Sequence, residues 1–143
     1  RGSPAQALVD LDGYMVRFPS GVLRREARVA RVDALLALGD EAEALVDLEQ
    51  LSFGSHGRDL ELRTIRGELH AKRSCTDAIA DFSAVLDASP PDVLAERALR
   101  GRLGCRLRIE DEDAFEDLES YVRRFPKGRF AREARGLLDR ARR

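Results

Sequence analysis

The chain has 143 residues, of which 43% are hydrophobic and 36% charged, with a net charge of −1. That length suits one domain with a real apolar core, and no run approaches the roughly 20 apolar residues of a membrane-spanning helix. Near-neutral charge, no Trp, two Tyr and six Phe leave neither the basic field nor the stacking platforms of a nucleic-acid binder.

Arg1-Gly2-Ser3 reads as a cloning remnant ahead of a single helical domain over 4–143, expected to be a piece of a longer protein. Arg, Ala, Leu, Glu and Asp dominate and β-branched residues are few, which favours helix over strand. A first helix over 5–18 ends at Phe18-Pro19, since proline disfavours helix in the residue before it. A second covers 22–38 and closes on Gly39. Asp40 can cap the third, over 41–51. Ser52 to Gly57 is a loop, followed by helices over 58–73 and 75–88, and Ser89-Pro90-Pro91 breaks the chain again. The remaining helices span 92–107, 112–124 and 129–142, the seventh stopped by Phe125-Pro126.

These eight segments form four copies of one two-helix unit. Ala7-Leu8-Val9-Asp10-Leu11, Ala44-Leu45-Val46-Asp47-Leu48, Ala78-Ile79-Ala80-Asp81-Phe82 and Ala114-Phe115-Glu116-Asp117-Leu118 recur at spacings of 37, 34 and 36 residues. Tyr14-x-x-x-Phe18-Pro19-x-Gly21 and Tyr121-x-x-x-Phe125-Pro126-x-Gly128 match at an offset of 107, as do Arg25-Glu26-Ala27-Arg28 and Arg132-Glu133-Ala134-Arg135. The helices after the breaks carry a stripe spaced 4, 3 and 4, such as Leu60, Thr64, Gly67, Ala71 and Leu94, Ala98, Gly101, Cys105. That spacing lies on one helix face and reads as a packing seam.

The unit resembles the tetratricopeptide repeat, most closely from Arg66-Gly67 through Ala78-Ile79-Ala80-Asp81-Phe82 to Pro90. The Tyr-x-x-x-Phe-Pro-x-Gly turns look like those of bacterial outer-membrane assembly lipoproteins and related periplasmic repeat proteins. The resemblance implies an all-α, right-handed solenoid of antiparallel helix hairpins, about eight helices in all, that works as a scaffold for protein binding in the bacterial periplasm or envelope. It also implies a concave groove lined by the helices over 22–38, 58–73, 92–108 and 129–143, each net positive, whereas the intervening helices are each net negative. The candidate contacts for an acidic peptide are then Arg28, Arg31, Arg63, Arg66, Arg97, Arg100 and Arg135, whose guanidinium forks suit carboxylates. A second reading of the same charges is mutual neutralisation across each helix pair.

Other constellations are bland. Glu110-Asp111-Glu112-Asp113 lacks the alternating ligands of a calcium loop and reads as a solvated helix start. His56 and His70 have no Cys, His or acid at ligand spacing, so neither a metal nor a general base is expected. The four repeated Asp residues, 10, 47, 81 and 117, read as one equivalent position pairing with an Arg of the adjacent helix. There is no phosphate loop and no catalytic triad, so no catalytic residue, metal or cofactor is assigned. Pro90 lies midway between Cys75 and Cys105, which sets the two cysteines at one level of a hairpin. Both a disulfide and a pair of buried thiols stand open. The reading is a non-catalytic module that binds an acidic protein or peptide. The alternative is a structural or self-assembling segment without a ligand, with the oligomeric state open.

Overall fold

The computed structural model describes residues 3–143, so Arg1 and Gly2 of the expected cloning remnant lie outside the described residues. Among the described residues the chain is all-helical, with no strand: α1 Pro4–Arg17, α2 Arg24–Ala37, α3 Glu41–Glu49, α4 Arg58–His70, α5 Cys75–Asp87, α6 Asp92–Arg108, α7 Asp113–Arg124 and α8 Ala131–Ala141. Helix starts follow local chemistry. The side chains of Ser3, Asp40 and Ser74 accept from the backbone N–H groups of Gln6, Glu43 and Asp77 at 3.1, 3.2 and 3.3 Å, satisfying donors that a helix start leaves unpaired.

Helix ends are equally local. Gly39 takes φ 77° after α2, with Asp40 N–H donating to the Leu35 carbonyl at 2.9 Å. Glu110 occupies the same position after α6 at φ 55°, with Asp111 N–H donating to the Arg106 carbonyl at 2.9 Å. Both are helix-closing turns with a left-handed residue. The acidic run 110–113 is therefore a helix junction, and Asp111 accepts from the Asp113 N–H at 2.9 Å.

The sequence identity between the two Tyr-x-x-x-Phe-Pro-x-Gly turns is carried into the backbone. Phe18 and Phe125 cap their helices at φ/ψ −130°/64° and −129°/61°. Phe18 N–H donates to Tyr14 O, Gly21 N–H to Phe18 O and Arg24 N–H to Gly21 O, at 2.9, 3.0 and 3.0 Å. The corresponding bonds of Phe125, Gly128 and Ala131 are 2.8, 2.9 and 3.0 Å. Each Tyr ring lies against its Phe, with centroids 5.1 and 5.6 Å apart.

The chain divides into two compact units, one ending at Ser52 and one running Phe53–Arg143. In the first, α2 packs on both α1 and α3. In the second, α5 packs on α4 and α6, α4 also touches α6, and α7 packs on α6 and α8. Two apolar clusters hold this unit. One gathers Ala78, Phe82, Val85, Ala98 and Cys105, and the other Leu99, Leu103, Leu118, Tyr121, Ala134 and Leu138. The small-residue seam explains the first cluster. The Phe82 ring fits between Gly67 of α4 and Gly101 of α6, where a Cβ on either glycine would come within 3.0 Å of the ring.

Candidate functional site

The Ala-x-x-Asp-Leu/Phe pattern sets Ala, Asp and the apolar residue at i, i+3 and i+4, on one helix face. Burying the alanine and the Leu or Phe therefore buries the aspartate. Asp47, Asp81 and Asp117 are 3%, 2% and 2% exposed, and a carboxylate so placed requires ionic and hydrogen-bonding partners. The preceding helix supplies them each time. Asp47 receives Arg28 at 2.9 Å and Arg31 at 2.6 Å. Asp81 receives Arg66 Nη2 at 2.6 Å and Arg63 Nε at 3.4 Å, with His70 Nδ1 at 2.9 Å. Asp117 receives Arg102 at 2.9 and 3.1 Å and Arg106 at 2.9 Å. Each of the three buried aspartates is thus clasped by cationic side chains one turn apart. Arg106 Nε is a buried polar atom with no hydrogen-bond partner, 4.0 Å from Asp111.

These clasps redistribute the seven arginines named from sequence. Arg28, Arg31, Arg63 and Arg66 hold carboxylates of their own unit. Arg31 also donates to Asp12 at 2.7 Å, and that bond first, with Asp47 behind it, raises its pKa well above the ordinary range against the opposing effect of burial. Arg66 additionally lies over the Phe53 ring at 4.9 Å. Arg97 forks onto Glu68 at 2.7 and 3.2 Å, which raises its pKa. Arg135 donates to the Pro126 carbonyl at 3.3 Å. Arg100 is exposed and, among the described residues, has no acidic partner within ion-pair distance.

Sequence reading missed Arg102, Arg106 and His70. His70 has no acid at ligand spacing in sequence, but in the fold Asp81, eleven residues on, comes back across the α4–α5 turn. A spacing signal was available. Arg66 precedes Asp81 by 15 residues and Arg102 precedes Asp117 by 15, while His70 and Arg106 precede the same aspartates by 11. Also unforeseen is the buried Tyr121 hydroxyl, which donates to Glu96 Oε2 at 2.5 Å and accepts from the Phe130 N–H at 3.3 Å. Burial first, and the bond to Glu96 second, raise its pKa above the usual 10.0.

Cys75 at the start of α5 and Cys105 near the end of α6 form a disulfide, their Cα atoms 5.2 Å apart. Elsewhere in the second unit, Arg97, Arg100, Lys127 and Arg129 line an open cleft of about 360 Å³ together with Val93 and Gly128. Arg100, Lys127 and Arg129 are exposed, and among the described residues none has an acidic partner within ion-pair distance. Glu96, the one carboxylate lining the cleft, is engaged by Tyr121.

Among the described residues no group of three or more His, Cys, Asp or Glu could hold a metal ion, and no helix is long and apolar enough to cross a membrane. Compared with known families, curated proteins and solved structures, the chain finds no match.

Proposed function

We propose that this chain is a non-catalytic, tetratricopeptide-type helical-repeat module that binds an acidic segment of another protein. The observation that carries the reading is the cationic cleft. Arg100, Lys127 and Arg129 stand exposed without carboxylate partners, next to Arg97, in a chain where most other arginines near a candidate groove are engaged. Cations left unpaired, Arg100 on α6 and Lys127 and Arg129 in the α7–α8 turn, are free to take carboxylates without first breaking internal pairs. The right-handed solenoid of antiparallel hairpins belongs to this reading, supported by the fourfold repeat and by the recurrent turn geometry. An envelope or periplasmic location is supported by the Cys75–Cys105 disulfide, since such bonds persist in oxidising compartments.

Calorimetric or anisotropy titration with a fluorescein-labelled octaglutamate peptide tests the proposal. Saturable binding is expected, weakening roughly tenfold between low and high salt because exposed charges are screened within a Debye length. The double change Arg100→Glu with Arg129→Glu should abolish it while leaving the far-ultraviolet spectrum unchanged. Binding indifferent to both salt and that double change would overturn the cleft.

A second reading, a structural segment without a ligand, is favoured by one observation. Arg28, Arg31, Arg63 and Arg66 are occupied by internal carboxylates. Concentration-dependent self-association in sedimentation velocity, with no response to acidic peptides, is the outcome that selects it.

A further inference from the structure

The cationic cleft is assembled from two separate pieces of chain. Val93, Arg97 and Arg100 recur along one face of α6, whereas Lys127 and Arg129 lie in the turn between α7 and α8. The helical period does not bring the two together, and charges of like sign drive them apart. Phe125 and Phe130 each pack on the Tyr121 ring with centroids 5.6 Å apart, which seats the turn on α7. Its approach to α6 is completed by a polar junction.

The buried Tyr121 hydroxyl donates to Glu96 Oε2 of α6 at 2.5 Å and accepts from the Phe130 N–H at 3.3 Å. One hydroxyl therefore joins α6, α7 and the approach to α8. Gly128 lies over the same junction, where a Cβ would come within 3.0 Å of both the Tyr121 hydroxyl oxygen and Glu96 Oε2. The turn reaches α6 because its middle residue has no side chain. In the α1–α2 turn the Tyr14 hydroxyl also lies against a glycine, 2.8 Å from a Cβ placed on Gly21. Packing of hydroxyl on glycine thus belongs to the Tyr-x-x-x-Phe-Pro-x-Gly turn itself. Glu96 is the feature that ties such a turn to the helix before it.

Glu96 is out of place electrostatically. It is a carboxylate lining a cleft that would take acidic peptides, and its charge repels such a ligand. We propose that Glu96 and Tyr121 are positioning residues of the cleft: their hydrogen bond, closed over Gly128, holds Lys127 and Arg129 beside Arg100 so that one acidic segment meets all three cations. The inference takes its ligand from the acidic-segment reading, whereas the junction itself stands apart from that reading. The two roles open to Glu96 predict opposite signs. A carboxylate that is only a wall charge weakens binding, so its removal tightens the complex; a carboxylate that holds the turn strengthens binding, so its removal loosens it.

The test compares binding of fluorescein-labelled octaglutamate to the intact protein and to Glu96→Gln, Glu96→Ala, Tyr121→Phe and Gly128→Ala. Amide hydrogen exchange over residues 127–130 is read on the same proteins. Glu96→Gln keeps an acceptor for the Tyr121 hydroxyl and loses the repelling charge, so it should bind at least as tightly as wild type. Glu96→Ala loses the same charge together with the acceptor and should bind roughly tenfold more weakly, the scale of one hydrogen bond to a charged group. Tyr121→Phe and Gly128→Ala leave every cation of the cleft in place and should weaken binding similarly. In these three variants exchange over 127–130 should quicken while exchange in α4 and α5 stays at the wild-type rate. Glu96→Ala binding as tightly as Glu96→Gln overturns the proposal, and so does unchanged exchange over 127–130 in Glu96→Ala. Failure of wild type to bind octaglutamate would sink the acidic-segment reading alone, and the exchange comparison would still uphold or overturn the junction.

Discussion

Replacing each of the four repeated aspartates by Ala should give three large losses of stability and one null. Asp81→Ala removes a carboxylate that is 2% exposed and leaves Arg66 and His70, whose side chains are 18% and 11% exposed, without their anion. Deleting one member of a buried ion pair costs about 3–5 kcal/mol, because the remaining charge stays desolvated. Arg63, at 30% exposure, can turn to water, which places the effect near the lower bound, about 3 kcal/mol. Asp117→Ala leaves Arg102 and Arg106, at 19% and 16% exposure, with only Ser83 and the more distant Asp111, and a similar cost applies. Asp47→Ala should cost the first unit about 2–3 kcal/mol, since Arg31 keeps Asp12. Asp10→Ala, with no ionic partner to lose, should stay within about 0.5 kcal/mol. Urea unfolding followed at 222 nm measures all four, and in thermal melts about 3 kcal/mol on a unit of this size corresponds to a drop of roughly 10–20 °C. Asp81→Ala costing under 1 kcal/mol, or Asp10→Ala costing as much as Asp81→Ala, would refute the clasp argument.

Gly101→Ala should destabilise by about 1–3 kcal/mol through overpacking against Phe82, and Phe82→Leu in the same chain should recover part of that loss; a neutral single variant in urea unfolding would contradict the sandwich. Thiol titration of the unfolded, unreduced protein should find no free thiol, and reduction should lower stability by about 3–4 kcal/mol for a crosslink separated by 30 residues; two titratable thiols would dissolve the disulfide. Tyr121 makes stability pH-dependent in a defined sense. Its folded pKa lies above the unfolded value of 10.0, so its contribution is complete below pH 10 and is lost as pH rises through the folded value. Tyr121→Phe should cost about 1 kcal/mol at neutral pH and flatten the alkaline decline, and the difference between wild-type and variant absorbance titrations at 295 nm should place the Tyr121 ionisation above the usual 10.0.

The helices were legible because their signals are local. Pro19 and Pro126 follow capping Phe residues, Gly39 supplies a left-handed residue, and Asp40 caps the next helix, so the boundaries fall within a few residues of those read from sequence. The pairing of the repeated Asp with Arg was also legible in kind, since period alone puts Asp47, Asp81 and Asp117 on the face that carries Ala and Leu. Which arginines engage was not. The resemblance points to arginines of the net-positive helices, but the desolvation of a buried carboxylate recruits whichever cation lies beside it, so Arg31 and Arg66 turn inward, as does Arg102. Level depends on turn length, and the α4–α5 and α6–α7 turns set His70 and Arg106 the same 11 residues before Asp81 and Asp117. Arg100 lies on the exposed side of α6. The cleft it shares with Lys127 and Arg129 depends on the α7–α8 turn returning beside α6, a tertiary approach that the helical period does not encode.

The most direct test of the interaction account is a nitrogen-15 chemical-shift map of the intact protein titrated with octaglutamate. The account predicts perturbations concentrated on the amides of Val93, Arg97, Arg100 and Lys127 to Arg129, with the clasped Arg28, Arg31, Arg63, Arg66, Arg102 and Arg106 unmoved. Perturbations centred on the clasps, or no shift at saturating peptide, would contradict it.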